Sequence, residues 1–188
     1  MISDADRRKA AALLRAAAPE DVPAIHAIYR HHVLHGLASF EETPPAPDEI
    51  ERRYVAVRAR GLPWLVAADG EEIAGYAYCA PYRERSAYRF SLEDSVYVRD
   101  GRQGRGIGKA LLARLIAESE ALGYRQLVAV IGDSANLGSI ALHARLGFGH
   151  AGTLRSVGYK FGRWVDSVFM QRPLGLGDRS PPTPCAPA

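Results

Sequence analysis

The stretch from Glu93 to Lys109 constrains this chain most, because it predicts a β-strand, a ligand-binding loop and a helix in direct succession. Val96-Tyr97-Val98 is a β-type triplet, and an apolar helical pattern begins at Ile107. Glycines let the loop backbone pass close to a ligand: Gly104, Gly106 and Gly108. Positive charges are contributed by Arg102, Arg105 and Lys109. The first N–H groups of the helix would attract an anion, so the segment predicts a phosphate-binding loop, with a flexible basic turn as the alternative.

Spacing excludes two common nucleotide-binding loops. A P-loop needs a glycine five residues before its Gly-Lys pair and a hydroxyl after it, but Gln103 and Ala110 stand there. A dinucleotide-binding loop needs a third glycine where Lys109 stands, and an acidic residue after a second strand. Glu120 has roughly the right spacing but lies within the predicted helix. What remains is Gln-x-x-Gly-x-Gly after a strand, from Gln103 to Gly108.

Composition excludes several classes of function. The 188 residues, 47% hydrophobic and 24% charged, suit one soluble domain, and the net charge of +3 does not favour nucleic-acid binding. No apolar run approaches the roughly 18 residues of a membrane span, so we expect no membrane partner. Cys79 and Cys185 are isolated, which favours a reducing cytoplasm. His31 and His35 share a helix face without a carboxylate at ligand spacing, so we expect no metal.

Alternating patterns along the chain predict an α/β domain. Residues 1–10 are expected to be flexible, and the Pro- and Gly-rich residues 175–188 to be a disordered tail. Strands are predicted near 64–68, 73–80, 90–98, 127–131, 150–157 and 165–171, the last two as a hairpin, whereas the alanines of residues 11–17 taken alone suggest a helix. Helices are predicted after an Asp21 cap to about Val33, and over 48–60, 107–122 and 136–146.

The Gln-x-x-Gly-x-Gly segment resembles the pyrophosphate-binding motif of the GCN5-related N-acetyltransferases (GNAT), which hold acetyl-coenzyme A. A later helix bears Asn136, Leu142-His143 and the ending Leu146-Gly147-Phe148, similar to the family's helix beside the pantetheine arm. His143 stands where the commonest family pattern has tyrosine, and here the chain resembles the phosphinothricin and methionine sulfoximine acetyltransferases. This similarity extends from about Leu14 to Leu174 and includes the segments 63–67, 87–89, 128–131 and 158–164.

The resemblance implies a single-domain GNAT fold over residues 11–174, with a mixed central sheet of about six to seven strands flanked by about four helices. It also implies that residues 11–17 form the first strand, because the family's chains start with one. It implies an enzyme that transfers acetyl from acetyl-CoA, as cosubstrate, to the α-amino group of a small amino acid such as phosphinothricin, methionine sulfoximine or methionine sulfone. It also implies a homodimer. The alternatives are acetylation of a protein N-terminus or a polyamine, and a non-catalytic acyl-CoA sensor.

The resemblance also assigns roles to particular residues. Glu93 would remove a proton from an amine whose pKa is about 8, and His143 would act as an acid or second base. The cofactor-binding residues would be Val96, Tyr97, Val98, Gln103, Gly104, Arg105, Gly106, Ile107, Gly108, Lys109, Asn136 and Ser139. The substrate-binding residues would be Tyr88, Arg83 and Arg85.

Each assignment has a plainer alternative. Glu93 reads equally as a solvated or salt-bridged carboxylate, and His143 as a packed helix histidine. Asn136 also suits a helix N-cap, and Arg83 and Arg85 suit solvated surface charges. The oxyanion donor would be a backbone N–H near Tyr97 or Val98. Lys160 and Trp164 lie in the predicted hairpin and read as structural or dimer-contact residues.

Overall fold

Seven strands and four helices follow one another between residues 12 and 182, the part of the chain that this computed structural model describes. The strands are β1 Leu13–Ala16, β2 Trp64–Asp69, β3 Glu72–Pro81, β4 Ser91–Val98, β5 Gln126–Gly132, β6 Gly149–Lys160 and β7 Arg163–Pro173. The helices are α1 Val22–His35, α2 Pro47–Ala59, α3 Ile107–Ala121 and α4 Leu137–Arg145. The predicted single-domain α/β fold is confirmed, with element ends that differ from the predicted ones by a few residues.

The strands form one mixed sheet in the order β1-β2-β3-β4-β5-β7-β6. Every neighbouring pair is antiparallel except β4 and β5, which α3 connects as a parallel pair. The predicted hairpin of β6 and β7 turns at Phe161 and Gly162, and β6 forms one edge of the sheet. The parallel pair therefore lies near the middle of the sheet, where ligands bind in open α/β folds.

Helices cover both faces of the sheet, so each strand has two different environments. Gly75 of β3 faces α3 so closely that an added Cβ would lie 3.2 Å from Ile107 Cγ2 and 3.3 Å from Leu111 Cδ1. On the opposite face, Tyr97 of β4 packs edge-on against Tyr29 of α1, with ring centroids 5.3 Å apart. Neighbouring residues of β4 therefore face either α3 or the α1–α2 layer, because strand side chains alternate.

Asp21 does not cap α1 as predicted. Its carboxylate accepts the Ala18 N–H at 2.8 Å, which closes a single 3₁₀ turn over Pro19–Asp21 before the helix. Arg15 of β1 donates two further hydrogen bonds to it, at 2.6 and 2.8 Å, and these hold the pKa of Asp21 below its usual range. The residue thus joins β1 to the turn instead of satisfying the helix N–H groups.

The predicted flexible residues 1–10 and the last six residues of the predicted tail, with Cys185, lie outside the described residues. Residues 175–178 of the predicted tail form a turn, which a bend at 179–180 follows. Arg125 holds them, since its guanidinium donates to Ser180 O at 2.6 Å and to Gly177 O at 3.0 Å. Leu174 is fully buried beside them. The limits proposed for the domain remain a prediction.

Two kinds of feature are missing from residues 12–182. None of the helices there is both long and apolar enough to cross a membrane. No group of three histidine, cysteine, aspartate or glutamate side chains in that range is placed to hold a metal ion. His31 and His35 contact each other on α1, with ring centroids 4.8 Å apart.

Candidate active site

The parallel strands β4 and β5 separate after four paired residues. Pairing runs from Ser91 with Gln126 to Asp94 with Ala129 and then stops, although β4 continues to Val98. β5 stays paired with β7 on its other side, so a wedge-shaped opening forms between β4 and β5. A cavity of about 50 Å³ lies there, lined by residues 94–97 and 129–132 and by Ala38, Asn136, Ser139 and His143. Predicted cofactor and catalytic residues thus meet at one place.

The backbone of β4 directs polar groups into this opening. Arg99 N–H donates to Ala74 O of β3 at 2.9 Å. Because N–H groups alternate between the two edges of an antiparallel strand, those of Val98 and Val96 point toward the opening. The N–H of Tyr97 points toward β3 instead, so the register favours Val96 and Val98 over Tyr97 as donors to a ligand.

His32 of α1 fixes the end of this strand. Its Nε2 lies 2.9 Å from the carbonyl oxygen of Val98, and since a carbonyl only accepts, the proton is on Nε2. Burial lowers the pKa of His32, so the ring is neutral near neutral pH. The carbonyl group of Val98 is therefore held by His32 of α1, while the N–H group of the same residue remains directed into the opening.

The glycine–arginine loop has the geometry of an anion site. The φ angles of Gly101, Gly104 and Gly106 are +74°, +75° and +82°, a region that favours glycine. Gly106 is the N-cap of α3, and the first helical hydrogen bond runs from Ala110 N–H to Gly106 O at 3.0 Å. The N–H groups of residues 107–109 therefore have no carbonyl partner within the helix, and no acidic side chain occupies its first turn.

The positive charges near the loop divide into two groups. Arg102 donates to Asp69 at 2.7 Å and forms a short hydrogen bond to Glu72, so it joins the loop to the β2–β3 turn and does not face a ligand. Arg105 and Lys109 are exposed and form no ion pair with the described residues. These two side chains are available to an anion bound at the start of α3.

Glu93 lies on the β4 face that is covered by α1 and α2. Its side chain is 33% exposed, and burial together with the charge of Asp94 raises the pKa of Glu93. Arg83 Nη1, 3.9 Å from its carboxylate, has the opposite effect on that pKa. A carboxylate with a raised pKa and an open side is suited to accept a proton near neutral pH.

A larger cavity of about 750 Å³ lies next to Glu93. It is lined by the three residues predicted to bind substrate, Arg83, Arg85 and Tyr88, together with Arg53, Arg60, Tyr78 and Arg89. Ala80, the cross-strand partner of Glu93, also lines it. This positively charged cavity suits a small anionic molecule, and the side chain beside it is the raised-pKa carboxylate.

His143 is almost fully buried and uses both ring nitrogens. Nδ1 donates to the carbonyl oxygen of Ser139 at 2.8 Å, and Nε2 lies 3.0 Å from Asp94 Oδ2. Burial opposes a charge on the ring, but the hydrogen bond and negative charge of Asp94 outweigh it and raise the pKa of His143. Burial also raises the pKa of Asp94. One proton therefore lies between Nε2 and Oδ2.

Asn136 is the N-cap of α4 in the structure, which was the alternative role for this residue. Its side-chain oxygen accepts the N–H of Ser139 at 3.2 Å at the start of α4. The same residue lines the opening between β4 and β5, so its capping role leaves it next to a bound ligand.

Asp94 is the site residue that the sequence interpretation missed. It lies between Leu92 and Val96 on the α3-facing side of β4, and one of its oxygens, Oδ1, is buried without a hydrogen-bond partner among the described residues. The signal was a single acidic residue in an otherwise apolar alternating stripe. Glu93 and the Asp94–His143 pair consequently lie on opposite faces of β4.

Comparison with known proteins places this geometry in a family. The model of the Acetyltransferase (GNAT) family matches residues 24–148. A phosphinothricin N-acetyltransferase of Alcaligenes faecalis is 52% identical over 174 residues, which are 93% of this chain and 88% of that protein. An L-methionine sulfoximine/L-methionine sulfone acetyltransferase of Pseudomonas paraeruginosa is 42% identical over 161 residues, 85% of this chain and 93% of that one.

A solved structure has the same architecture. The crystal structure of a GNAT superfamily phosphinothricin acetyltransferase from Sinorhizobium meliloti in complex with AcCoA is 47% identical, with a TM-score of 0.89. The match covers 92% of this chain and 94% of that one. The overall fold of this chain is thus similar to that of a relative crystallised in complex with AcCoA.

Proposed function

The chain belongs to the GNAT family of acetyltransferases, and from this premise we propose that it acetylates the α-amino group of a small amino acid. Phosphinothricin, methionine sulfoximine and methionine sulfone are the proposed substrates, since relatives that cover most of the chain bear those names. The observation that carries the proposal is the position of Glu93, whose cross-strand partner Ala80 lines the arginine-lined cavity and whose neighbour Asp94 lines the opening in the sheet.

Acetyl-CoA, the family's cosubstrate, supplies the acetyl group as a thioester when it is bound. We propose that Arg105, Lys109 and the free N–H groups at the start of α3 bind its pyrophosphate. Gln103, Gly104, Gly106, Ile107 and Gly108 form the loop around it. In the opening, the N–H groups of Val96 and Val98 are proposed to bind the pantetheine arm of acetyl-CoA, with Asn136 and Ser139 on the other side of that arm.

Glu93 is proposed as the general base. An amino acid reaches the protein mainly as an ammonium ion, and its proton must leave before the nitrogen is a nucleophile. The raised pKa of Glu93 brings its basicity closer to that of an amine, which makes the proton transfer less unfavourable. Transfer directly or through one water suits its position at the edge of the cavity.

His143 is proposed to act through Asp94. Both of its nitrogens are already engaged, so the imidazole itself has no free N–H for a leaving group. The pair holds one proton, Asp94 lines the opening, and its Oδ1 is buried without a hydrogen-bond partner among the described residues. We propose that this buried pair is the proton reservoir on the cofactor face of β4, opposite Glu93.

Arg83, Arg85 and Tyr88 are proposed to select the substrate. An α-amino acid presents a carboxylate, and guanidinium groups bind carboxylates and phosphinates through paired hydrogen bonds. Arg83 has a second effect here, because its charge holds down the pKa of the neighbouring base. Substrate carboxylate bound to Arg83 would offset that charge and raise the basicity of Glu93 when the amine is present.

We also propose a homodimer formed through the β6–β7 hairpin. The hairpin exposes an unusual set of large apolar side chains: Leu154, Val157, Tyr159, Phe161 and Trp164. Trp164 is 62% exposed, and its ring contacts Tyr159 with centroids 5.2 Å apart. Contiguous exposed aromatic surface on an edge strand supports a protein interface, and a second copy is the occupant expected for this family.

A cytoplasmic location is proposed as well. Cys79, the cysteine within the described residues, is a free buried thiol that contacts Ser119. Burial raises the pKa of the Cys79 thiol, which keeps it protonated and unreactive. Fractionation of cells that express the tagged chain would test this location.

The experiment that tests the function is release of free thiol from acetyl-CoA, with mass spectrometry of the product. The panel comprises phosphinothricin, methionine sulfoximine, methionine sulfone, an alanyl peptide and spermidine. We expect turnover with the first three amino acids. Turnover only with the peptide or spermidine would contradict the substrate proposal, and tight acetyl-CoA binding without turnover on any amine would indicate an acyl-CoA sensor.

A further inference from the structure

We infer that Lys160 is a positioning residue that fixes the α1–α2 loop, residues 36–46, against the end of β6 and so shapes the amine-binding side of the site. Only one part of this inference, the effect on the KM for the amino acid, rests on the proposed function. Lys160 lies on the hairpin, far from the cofactor loop in sequence and from the residues assigned to substrate binding.

The first observation is the environment of the Lys160 ammonium. The residue is 2% exposed, yet no carboxylate of the described residues lies within ion-pair distance of its Nζ. Nζ instead donates to the carbonyl oxygens of Gly36 at 2.9 Å and Ser39 at 2.7 Å. Glu41 and Glu42 act on the ammonium only from beyond ion-pair distance, and the Phe161 ring centroid lies 4.9 Å from Nζ. The two carbonyl contacts are therefore the hydrogen bonds that satisfy the buried cation and attach the loop to it.

Two glycines provide independent evidence that the loop must lie close to the sheet. A Cβ at Gly132, the last residue of β5, would overlap the carbonyl oxygen of Leu37. A Cβ at Gly158 of β6 would overlap the ring of Phe40. Neither glycine has a positive φ, so their small size serves the close approach of the loop and not a backbone turn.

The held loop reaches both cavities of the site. Ala38 lines the opening between β4 and β5. Glu41 accepts a hydrogen bond from Arg53 Nη1 at 2.9 Å, and Arg53 lines the larger cavity beside Glu93. The position that Lys160 imposes on the loop therefore places Ala38 in the wall of the opening between β4 and β5. It also places Glu41, which orients the guanidinium of Arg53 in the larger cavity.

Ser39 ties the loop to the other side of the site. Its hydroxyl lies 2.9 Å from Tyr29 OH, and the Ser39 carbonyl is one of the two acceptors of Lys160. The loop is thus attached to α1 by a side chain and to β6 by its backbone. Removing the β6 attachment leaves the loop bonded to Tyr29 of α1 and Arg53 of α2 but no longer to the sheet, and small displacements of a reacting group are costly for catalysis.

The test compares Lys160→Met with Arg155→Met. Both remove one positive charge from the β6–β7 hairpin, but Arg155 is exposed and does not contact the loop. Amide hydrogen exchange, measured without substrates, should be roughly tenfold faster over residues 36–42 in Lys160→Met only. The KM for the amino acid should rise roughly tenfold, with a smaller change in the KM for acetyl-CoA.

Loop exchange and amino-acid KM equal to those of Arg155→Met would overturn the inference. If Lys160→Met does not fold, Gly158→Ala perturbs the same loop through Phe40, and it should raise the amino-acid KM selectively. A wild-type amino-acid KM in Gly158→Ala would then overturn it. Wild-type protein that turns over no amino acid would count against the proposed function, whereas the exchange result would still decide whether Lys160 holds the loop.

Discussion

Two neighbouring residues, Glu93 and Asp94, carry most of the chemical interest of this site. Both are carboxylates with raised pKa values, and both owe the shift chiefly to burial. They differ in direction, because strand side chains alternate between faces. Glu93 lies next to Ala80, a lining residue of the arginine-lined cavity, and Asp94 contacts His143.

At this scale the sequence predicted Glu93 and His143 through the family resemblance. It did not predict Asp94, since the partner of His143 depends on how α4 packs against β4, which local pattern does not determine. The roles assigned to these residues remain predictions that kinetics must test.

The pH dependence of turnover should respond to Arg83. Arg83 lies 3.9 Å from Glu93 and lowers its pKa against the effect of burial. Arg83→Met should therefore move the acid limb of the kcat/KM profile, which reports the free enzyme, to higher pH, since the base then stays protonated over a wider range. Arg85→Met, which removes a guanidinium from the same cavity, should leave the limb in place.

Equal acid limbs in wild type and Arg83→Met would contradict this electrostatic account. The measurement is kcat/KM against pH, because a weaker substrate affinity caused by the lost guanidinium lowers the whole profile without moving its acid limb.

The Asp94–His143 pair should make stability depend on pH. The folded-state pKa of His143 lies above its unfolded value of about 6.5. Its contribution to stability is therefore fully present below about pH 6.5 and is lost as pH rises through the folded-state pKa. The raised pKa of Asp94 has the same sign, because the folded protein again binds more protons than the unfolded one.

Asp94→Asn should flatten this dependence, because an amide N–H can donate to the Nε2 of a neutral His143. Asp94→Ala leaves Nε2 without a partner and should be less stable than Asp94→Asn by about 1–3 kcal/mol. Urea unfolding at pH 6 and pH 9 measures both. An equal change in unfolding free energy with pH in wild type and Asp94→Asn would contradict the pairing.

At the scale of elements, the sequence predicted that a strand, a glycine-rich loop and a helix follow one another along Glu93–Lys109. It did so because glycine content, charge and the periodicity of apolar residues all change sharply within this segment. The separation of β4 from β5 after Asp94 was not, because strand pairing is a tertiary property. Arg102 shows the same limit. Its sequence position suggested a ligand contact, but it binds Asp69 and Glu72 on a distant turn.

The glycines of the loop should not be equivalent. Gly106 has φ +82° at the start of α3, so Gly106→Ala should cost about 1 kcal/mol of stability and weaken acetyl-CoA binding. A Cβ at Gly108 would lie 3.4 Å from Leu142 Cδ2 and 3.5 Å from Val98 Cγ2, which is ordinary contact. Gly108→Ala should therefore fold with unchanged or slightly higher stability.

Thermal unfolding of the two variants, followed by acetyl-CoA titration, separates these effects. A stability loss in Gly108→Ala as large as that in Gly106→Ala would show that backbone conformation is not what distinguishes them.

At the scale of the whole molecule, local patterns predicted the helices and every strand except β1, which came from the family resemblance, while they did not predict the contacts that close the molecule. The α1–α2 loop, for example, is hydrogen-bonded by Lys160 and packs closely against Gly132 and Gly158, all of which lie far from it in sequence. Arg125 likewise holds residues 177–180, which their proline- and glycine-rich composition had suggested to be disordered. Such long-range backbone contacts leave no periodic signal.

Assembly should depend on the hairpin surface. Trp164→Glu places a charge in the exposed aromatic patch and should convert a dimer into a monomer at micromolar concentration. Leu13→Glu is the matched control, since Leu13 is 66% exposed on β1 at the opposite edge of the sheet. Light scattering measures the mass, and a monomeric wild type would contradict the proposed homodimer.

The central claim is that one strand, β4, carries the base for acetyl transfer beside the cofactor opening. Its most direct test is the kcat for phosphinothricin in wild type, Glu93→Gln and the exposed control Glu51→Gln, with acetyl-CoA affinity measured separately. We predict a loss of about 10²–10⁴-fold in kcat for Glu93→Gln alone, with acetyl-CoA affinity unchanged. Wild-type kcat in Glu93→Gln would contradict the claim.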